Sequence, residues 1–572
     1  MEGAAVRQGQ VYVGMEKLFF EFLQVAVGNR KSLSCGIKDA DWQQLFEFCK
    51  KQALIGVGFT ALEHLHTMGV ECPLDIGMKW MAMALHIERQ NDKRNQQCAE
   101  LTRRYKHDGL STCILKGQGN LFNYPEHLRK RRQCGDIDVW TAPLPPSGGC
   151  CNSTDKDAGI TIAVQTGKNK VEYVEYHGHK AIREYVMMQY RLKGIDAHPK
   201  ACYHHIDAPD MDGIEVEVHY RPTFCRSFIR NRRMQKWFDT LASECMSNRT
   251  SDGFSVPTAS FNVVYQMAHL FEHYFEGGIG LRQMMDYYFA LKAWQKEIME
   301  WNSQQSQGMW SEGLETPVMS KEEVMAVIRS FGMAKFAAAV IWVLNEVFVG
   351  VNDDRLLITD GVHTENTEGN GGPQVDFVGE RESSEFKRNL NGGPQADSFG
   401  ERQLENNNYP QMIQMDTDGG PQADYVGERE SSEFKRNLNG CPQADSFGER
   451  QLENNKNPQM SQMDTDGGLQ ADFVDERELL QIERKLKDNN FAPWMICAPN
   501  EKEGKKLLEE IMKGGNFGQY DTRDAVLKNG GMMKHGVWKL KRVMRLVRSY
   551  PEEALWEPVF RVWHLGWRKI HG

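Results

Sequence analysis

The stretch Asp136-Ile137-Asp138-Val139 decides how this sequence is interpreted, because it separates two carboxylates by one apolar residue. Side chains alternate between the two faces of a β-strand. If the stretch is a strand, both carboxylates leave from one face while Ile137 and Val139 enter the core. Two oxygen ligands would then lie side by side at one edge of a sheet.

A second run with the same alternation, Ile214–Tyr220, has the sequence IEVEVHY. As a strand it would place Glu217 and the other polar side chains on one face and its apolar side chains on the other. Glu217 would complete an oxygen-rich cage with Asp136 and Asp138, and we expect the three carboxylates to converge within about 10 Å. Oxygen ligands of this kind suit Mg²⁺, which keeps several waters and is usually shared with substrate phosphates.

Two residues beside Glu217 share its predicted face and have less defined roles. Glu215 is interpreted as electrostatic support or as an exposed side chain, because one carboxylate from this strand is sufficient. His219 is equally suited to a structural hydrogen bond and to contact with a substrate. An Asp-x-Asp strand alone is more often a solvated face, so the metal interpretation depends on the second strand and on glycines upstream.

Those glycines follow another predicted strand, in Leu115-Lys116-Gly117-Gln118-Gly119. They stand at a probable helix start, where backbone N–H groups can face a phosphate without side-chain obstruction and the helix dipole favours the anion. Alone this signal is weak, because glycines after a strand are common.

The order of these features along the chain resembles the polymerase-beta nucleotidyltransferase superfamily. A strand ending in Lys116-Gly117, then Pro125, Arg132, the Asp-Ile-Asp strand and the Val-Glu-Val-His strand follow one another. More closely, the order is similar to a bacterial family known as uncharacterised nucleotidyltransferases. The similarity includes HLFEHYFEGGIGLRQMMDYYFAL (269–291), GGNFG (514–518) and YPEEALWEPVFRVWHLGWR (550–568), so it covers most of the chain outside a repeat segment.

The resemblance implies a site and a reaction. Asp136 and Asp138 match the paired metal ligands, and Glu217 matches the third carboxylate. The residues assigned to the nucleotide phosphates are Lys116, Gly117, Gln118 and Arg132. Gln118 stands where the superfamily often has serine, and the stretch from Gly119 to Asp136 is longer than the common pattern. The implied cofactor is Mg²⁺ or Mn²⁺, and the implied substrate is a nucleoside triphosphate (NTP) whose nucleoside monophosphate moves to an acceptor hydroxyl.

The predicted fold is α+β, with a small mixed-sheet nucleotidyltransferase core flanked by N- and C-terminal helical regions and a long disordered repeat insertion. Residues 143–170 are predicted to form an enlarged loop after the Asp strand. The predicted regions are an N-terminal helical region (1–107), the core (108–250), a helical domain (251–350), the repeat linker (351–478) and a C-terminal helical region (479–572).

The repeat linker contains GGPQVDFVGERESSEFKRNLN from Gly371, which recurs nearly unchanged from Gly419 and starts again at Gly467. A period of this length is also found in solenoids, but these units are mostly Gly, Asn, Gln, Asp, Glu and Ser, with little apolar material to stack. We therefore expect a disordered linker that is dispensable for folding.

Composition restricts the partners and the compartment. The net charge of −9 gives no global attraction to polyanions, and no obligate DNA partner is evident. No stretch approaches 18 consecutive apolar residues, so we expect a protein that does not enter a membrane and that is cytoplasmic. The 13 cysteines include no CxxC pair, which argues against a disulfide framework or a structural zinc site. The acceptor remains open among small molecules, proteins and RNA.

Two rival interpretations come from other functional classes. One is a non-catalytic binding or scaffold protein that keeps the fold, although all three acidic residues are present. The other is a zinc-dependent hydrolase that uses His269 and His273, which lie four residues apart; packing or hydrogen bonding is the favoured role for this pair. Arg282 and Asp286, also four apart, are most simply predicted to form a pair on a helix surface, although their position after the Gly-rich break could let them face the cleft.

Overall fold

A four-stranded mixed sheet follows the N-terminal helices. The computed structural model describes residues 2–144, 158–167, 170–196, 199, 201–306, 318–350, 492–523 and 531–571. The sheet has the order β1-β2-β6-β5, with β1 (Leu110–Ile114), β2 (Ile137–Pro143), β5 (His205–Ala208) and β6 (Val216–His219). Strands β2 and β6 run parallel, whereas β1 and β5 pair antiparallel with their neighbours. A small mixed sheet among helices agrees with the α+β prediction.

The predicted alternation of side chains is present in β2 and β6. Ile137 and Val139 of β2 are buried, and Val216 and Val218 of β6 are buried beside them. They belong to one apolar cluster that also receives side chains from helices α4 (Leu74–His107) and α6 (Gly178–Leu192). Burial of each such side chain stabilises the fold by roughly 1.5–3 kcal/mol. This packing fixes which face of the sheet carries Asp138 and Glu217.

The prediction of an enlarged loop over residues 143–170 is wrong for its second half. Residues Gly159–Gly167 form strand β3, which pairs antiparallel with β4 (Lys170–His177). Ile160 and Ile162 of β3 are buried in the cluster with α6. The alternation of apolar residues in ITIAV and its packing on α6 outweigh the turn-forming composition just upstream.

The N-terminal helices are α1 (Glu2–Ala26), α2 (Asp39–Lys51) and α3 (Ile55–Thr67), followed by α4. The period predicted a buried face on α2, and the structure confirms it. The buried residues of that face are Trp42, Leu45, Phe46 and Cys49.

Helices form the remainder of the described chain. The bounds of these helices are α5 (Glu126–Arg129), α7 (Phe228–Ser247), α8 (Ala259–Glu276), α9 (Leu281–Ser306), α10 (Lys321–Ser330), α11 (Ala334–Leu344), α12 (Glu501–Gly514), α13 (Met532–Leu546) and α14 (Pro551–His571). One apolar cluster contains residues of α1, α8, α9, α11 and α12, so the N-terminal and C-terminal helices share a core.

The two glycine-rich motifs of the sequence meet backbone to backbone. A side chain at Gly518, whose φ is 68°, would collide with the Gly277 carbonyl group. A Cβ atom on Gly280 would lie 2.7 Å from the Cα atom of Asn516. Both glycines are required here because only they allow the 514–518 turn to approach the α8–α9 connection this closely.

Two sequence predictions concern residues outside the described ranges. The repeat linker 351–478, with its predicted disorder, is one of them, and the start of the C-terminal region, 479–491, is the other. Within the described ranges, no helix has both the length and the apolar character needed to span a bilayer.

Candidate functional site

The polar face of the sheet carries two rows of side chains across three strands. Asp138 lies opposite Glu217 in the parallel β2–β6 pair, and Glu217 lies opposite Asp207 in the antiparallel β6–β5 pair. One step along, His219 lies opposite His205. Because residues two apart share a face, the carboxylate row and the histidine row lie side by side.

His219 contacts both Asp138 and Glu217, and Lys116 contacts Asp138. His219 Nε2 lies 3.1 Å from Asp138 Oδ1 and 3.2 Å from Glu217 Oε2. Lys116 Nζ, from the end of the β1 segment, lies 2.8 Å from Asp138 Oδ1. The side chains of Asp138 and His219 are each only 2% exposed, so these contacts are shielded from water.

The electrostatics of the cluster follow from these contacts. Burial alone would lower the pKa of His219, but hydrogen bonds to Asp138 and Glu217 raise it to about 9. Burial likewise opposes the charge on Lys116, yet Asp138 and its neighbouring carboxylates hold the pKa of that ammonium well above its ordinary value. Burial would raise the pKa of Glu217, whereas His205, His219 and Lys116 hold it well below the usual range. Lys116, His219 and Glu217 are thus charged near neutral pH.

Asp136 directly precedes β2 and feels the field of the same carboxylates. Burial, followed by the charges of Asp138 and Glu217, raises the pKa of Asp136 to about 7. Lys116 and Arg282 oppose this rise. The donors of Asp138, Glu217 and His219 all lie within 4.8 Å of one another. Three carboxylates of which two raise the pKa of the third fit a divalent cation, because the ion would relieve this repulsion.

The glycine turn behind Lys116 brings the backbone close to Asp136. Residues Gly117–Asn123 form a 3₁₀ turn that begins after Lys116. Gly117 has a φ of 55°, and a Cβ atom there would lie 3.5 Å from the Asp136 carbonyl oxygen. This left-handed conformation favours glycine and lets the chain reverse beside the acidic pair.

Two residues that were predicted to contact phosphate direct their side chains elsewhere. Gln118 is buried, and its Nε2 donates to Asn95 Oδ1 on α4 at 2.7 Å. Arg132 is also buried and donates to both carboxylate oxygens of Asp286, at 2.6 and 2.7 Å. Lys116 alone among the phosphate-side side chains contacts the carboxylate cluster within the described structure. Phosphate contacts by Gln118 and Arg132 therefore stay predictions that require these contacts to change.

The predicted surface pair of Arg282 and Asp286 is wrong. Both residues are buried, at 8% and 4% exposure. Asp286 accepts from Arg132, whereas Arg282 donates to the Gln133 carbonyl oxygen at 3.1 Å. The spacing placed them correctly on one face of α9, but that face packs against the loop before β2 instead of meeting water.

His269 and His273 pair with each other on α8. Their Nε2 atoms lie 2.8 Å apart. Burial and the charge of Lys116 lower the pKa of His273 to about 4, and the same two causes hold the pKa of His269 well below its usual range. Across the described residues, the groups of three or more clustered metal-ligating side chains lie on or beside β2, β5 and β6, and none contains this pair. The contact matches the hydrogen-bonding interpretation.

The sequence interpretation missed the contribution of β5. His204 directly precedes this strand, while His205 and Asp207 belong to it. A signal was available in His205-Ile206-Asp207-Ala208, where polar and apolar residues alternate as they do in β6. The run is four residues long, so its alternation alone does not distinguish a strand from a loop.

Comparison with known proteins gives one match. Residues 38–308 match a protein-family model described as an uncharacterised nucleotidyltransferase. The matched range includes all six strands and every side chain described above at the site. No curated protein and no solved structure matches the chain. The match supports a nucleotidyltransferase family for this region, which suggests an enzyme.

Glu272 on α8 gives a test of the electrostatics beside the site. It is buried, accepts a hydrogen bond from the Thr223 hydroxyl, and has its pKa raised to about 8 by burial and then by the charge of Glu276. The Glu272 carboxyl group stays protonated in the folded protein at pH values where it has already ionised in the unfolded chain. Its contribution to the free energy of unfolding is therefore complete at pH 4 and is lost as the pH rises to about 8. The free energy of unfolding of Glu272→Gln, measured relative to wild type, should therefore be roughly 3–4 kcal/mol higher at pH 8.5 than at pH 5.5.

Thermal unfolding at the two pH values measures this difference. Glu300→Gln is the control, because Glu300 is a surface carboxylate on the neighbouring helix α9. An equal effect of both substitutions, or a Glu272→Gln effect that does not change with pH, would show that Glu272 is ionised in the folded protein.

Proposed function

We propose that this protein is a metal-dependent nucleotidyltransferase that moves a nucleoside monophosphate from an NTP to an acceptor hydroxyl. Asp136, Asp138 and Glu217 would hold the divalent cation, Mg²⁺ or Mn²⁺. The observation that carries the proposal is the direct opposition of Asp138 and Glu217 on parallel strands beside Lys116. The family match over residues 38–308 supports the reaction class.

The donor set fits the ion that the reaction needs. Carboxylate oxygens are the ligands that Mg²⁺ and Mn²⁺ prefer, and such an ion, when bound, polarises the α-phosphate and neutralises the leaving pyrophosphate. Lys116 and His219 supply positive charge to the same carboxylates in the metal-free protein. Two positively charged side chains therefore lie among the carboxylates, and positive charge is what a triphosphate requires of its binding site.

Lys116 is positioned to pass from a carboxylate to a phosphate. The backbone N–H of the preceding residue, Leu115, donates to the Asp138 carbonyl oxygen at 3.0 Å and keeps this segment beside β2. With a cation on Asp138, the ammonium is free to donate to a phosphate oxygen instead. Donors that are preorganised toward developing charge supply most of the catalysis in phosphoryl transfer, because little covalent chemistry is left to the protein.

Helix α8 provides the opposite wall of the proposed cleft. Trp140 of β2 stacks on Phe261 of α8, with ring centroids 5.4 Å apart, and so fixes the helix on the polar face of the sheet. Tyr265 and His269, farther along α8, lie within the electrostatic reach of Lys116. We propose that the acceptor enters between α8 and the carboxylate row, whether it is a small molecule, a protein or RNA.

Transfer of labelled phosphate tests the proposal. The full-length protein is incubated with each of the four NTPs labelled at the α-phosphate, with Mg²⁺ or Mn²⁺ and with pools of small molecules, proteins or RNA. The expected result is α-label on one acceptor class, release of pyrophosphate, and loss of both on chelation. Label transferred from the γ-phosphate would indicate a phosphoryltransferase, and NTP binding without pyrophosphate release in any pool would indicate the binding-protein alternative.

Replacing Lys116 with Met should separate metal binding from nucleotide binding. The substitution removes a charged donor to phosphate, so we expect the Kd for NTP to rise about 10- to 100-fold. It also removes the cation that competes for Asp138, so metal affinity without nucleotide should be unchanged or higher. Isothermal titration with Mn²⁺, then with NTP, measures both. Lys130→Met is the control, because Lys130 forms an exposed ion pair with Asp92; equal loss of NTP affinity in the two variants would refute the role of Lys116.

A further inference from the structure

Three imidazoles meet beside the carboxylate row, and two of them, His204 and His205, have no assigned part in nucleotide transfer. His204 and His205 come from the start of β5, and His219 comes from β6. Their ring centroids lie 4.4 Å apart for His204 and His205, 5.4 Å for His204 and His219, and 5.2 Å for His205 and His219. One ring nitrogen from each lies within 4.8 Å of the other two. Side chains of three different sequence positions therefore converge as ligands do.

The contacts among these rings leave at least one ring nitrogen able to coordinate an ion. His205 Nδ1 and His204 Nε2 lie 2.9 Å apart, so one of the two nitrogens must present a lone pair to the other. His204 Nδ1 is buried and has no hydrogen-bond partner among the described residues. Buried polar nitrogens usually have a partner in folded proteins, so an ion is one group that this nitrogen could bind. His219 Nε2 contacts Asp138 and Glu217, so an ion bound at that nitrogen would take the place of the proton in those contacts.

Two carboxylates lie close to the imidazoles and add oxygen atoms to the nitrogen ligands. Glu217 Oε2 is 3.9 Å from His205 Nδ1, and Asp207 Oδ1 is 3.6 Å from His205 Nε2. The set His205, Asp207 and Glu217 also has its donor atoms within 4.8 Å of one another. This mixture of nitrogen and oxygen differs from the oxygen-only set of Asp136, Asp138 and Glu217. Imidazole suits zinc and other first-row transition ions, whereas Mg²⁺ favours oxygen.

We propose that His204, His205 and His219 form a second metal site, which takes a transition-metal cation of the Zn²⁺ class in preference to Mg²⁺. Glu217 lies between this site and the carboxylate site, within reach of both. The side chains of His204 and His205 are 16% and 12% exposed, which leaves a path for an ion from solvent. The site depends only on the three imidazoles and stands whether or not nucleotide transfer is the activity.

Metal retention by the full-length chain tests the proposal. Protein stripped with chelator is dialysed against Zn²⁺ at micromolar level with Mg²⁺ in large excess, and the bound metal is counted by mass spectrometry. We expect about one Zn²⁺ per chain that Mg²⁺ does not displace. Co²⁺ in place of Zn²⁺ should show the visible absorption of an ion with nitrogen ligands. Wild-type protein that retains no Zn²⁺ under these conditions would overturn the proposal.

A matched pair of histidine variants locates the ion. His205→Ala should weaken Zn²⁺ binding at least 100-fold, since even changes outside the direct ligands weaken metal sites 10- to 100-fold. His273→Ala, which removes a buried histidine of the α8 pair, should leave Zn²⁺ binding unchanged. Loss of Zn²⁺ binding in His273→Ala but not in His205→Ala would place the ion on α8 and refute the site on β5 and β6. Zinc-edge anomalous scattering from wild-type crystals locates the ion even when a variant does not fold.

The same preparation separates this proposal from the proposed transferase activity. Asp136→Asn should abolish labelled-nucleotide transfer while Zn²⁺ retention persists, because Asp136 is outside the imidazole group. Transfer without Zn²⁺ retention would remove the second site and leave the transferase intact. Zn²⁺ retention without transfer in any acceptor pool would support the second site and refute the proposed transferase activity.

Discussion

Asp138→Asn is expected to lower the rate of nucleotide transfer by about 10³-fold or more. Among the described residues, Asp138 is the carboxylate that contacts both Lys116 and His219, and it lies directly opposite Glu217. Its replacement removes a negative oxygen ligand from the proposed metal site and changes the position of the ammonium group. Losses of this size follow when one preorganised electrostatic element is removed from an active site. Single-turnover transfer of α-labelled NTP measures the effect.

The stability of the same variant gives a second result. From the sequence alone, removal of Asp136 and Asp138 together is expected to leave the fold intact by relieving repulsion between like charges. The structure changes this expectation, because Asp138 is the ion-pair partner of Lys116, whose side chain is only 20% exposed. Leaving a buried charge without its partner costs about 1–3 kcal/mol, so Asp138→Asn should lower Tm modestly while the protein remains folded. Asp92→Asn, at an exposed ion pair, is the control for both readouts; a 10³-fold loss there would show a nonspecific effect.

Arg226→Met is expected to destabilise the fold by about 3–5 kcal/mol, with a fall in Tm of roughly 10 °C. The Arg226 side chain is 2% exposed and is surrounded by carboxylates. It pairs with Glu557, lies 3.9 Å from Glu553 and lies 3.7 Å from Glu276. Removing it leaves two buried carboxylates of α14, and a third on α8, without their shared cation, so α14 should separate from the core first.

The neighbouring Arg230 is a matched control for Arg226. Arg230 pairs with Glu552 on the same helix α14, but that carboxylate is 48% exposed. An exposed ion pair of this kind contributes at most about 1 kcal/mol, so Arg230→Met should change Tm by only a few degrees. Thermal unfolding and limited proteolysis of α14 compare the two variants. Equal destabilisation by both would mean that burial of Arg226 is not what makes its pair important.

Strands with a clear period of two could be predicted from the sequence. The alternation in β2 and β6 specifies which side chains share a face, and the structure confirms that Asp138 and Glu217 are neighbours. The apolar face of α2 was predicted on the same basis, from the helical period. In both cases the signal is local, because burial of one face imposes a repeating pattern on consecutive residues.

Contacts between distant positions could not be predicted in this way. Arg132 and Asp286 form a buried bidentate pair across 154 positions of sequence, and nothing near either residue indicates the other. Strand β5 is too short to carry a convincing period, so His205 and its pairing with His219 were missed. Lys116 was assigned to phosphate through resemblance, whereas its contact with Asp138 emerges only when β1 and β2 are paired.

The location of a bound divalent cation tests the central claim most directly. Crystals of the full-length protein with Mn²⁺ and an NTP analogue that cannot be cleaved between the α- and β-phosphates would show Mn²⁺ by anomalous scattering. The account predicts Mn²⁺ coordinated by Asp138 and Glu217, with oxygen distances of about 2.0–2.3 Å and the triphosphate on the same ion. Mn²⁺ and nucleotide bound together elsewhere, with Asp138 still paired to Lys116, would contradict it.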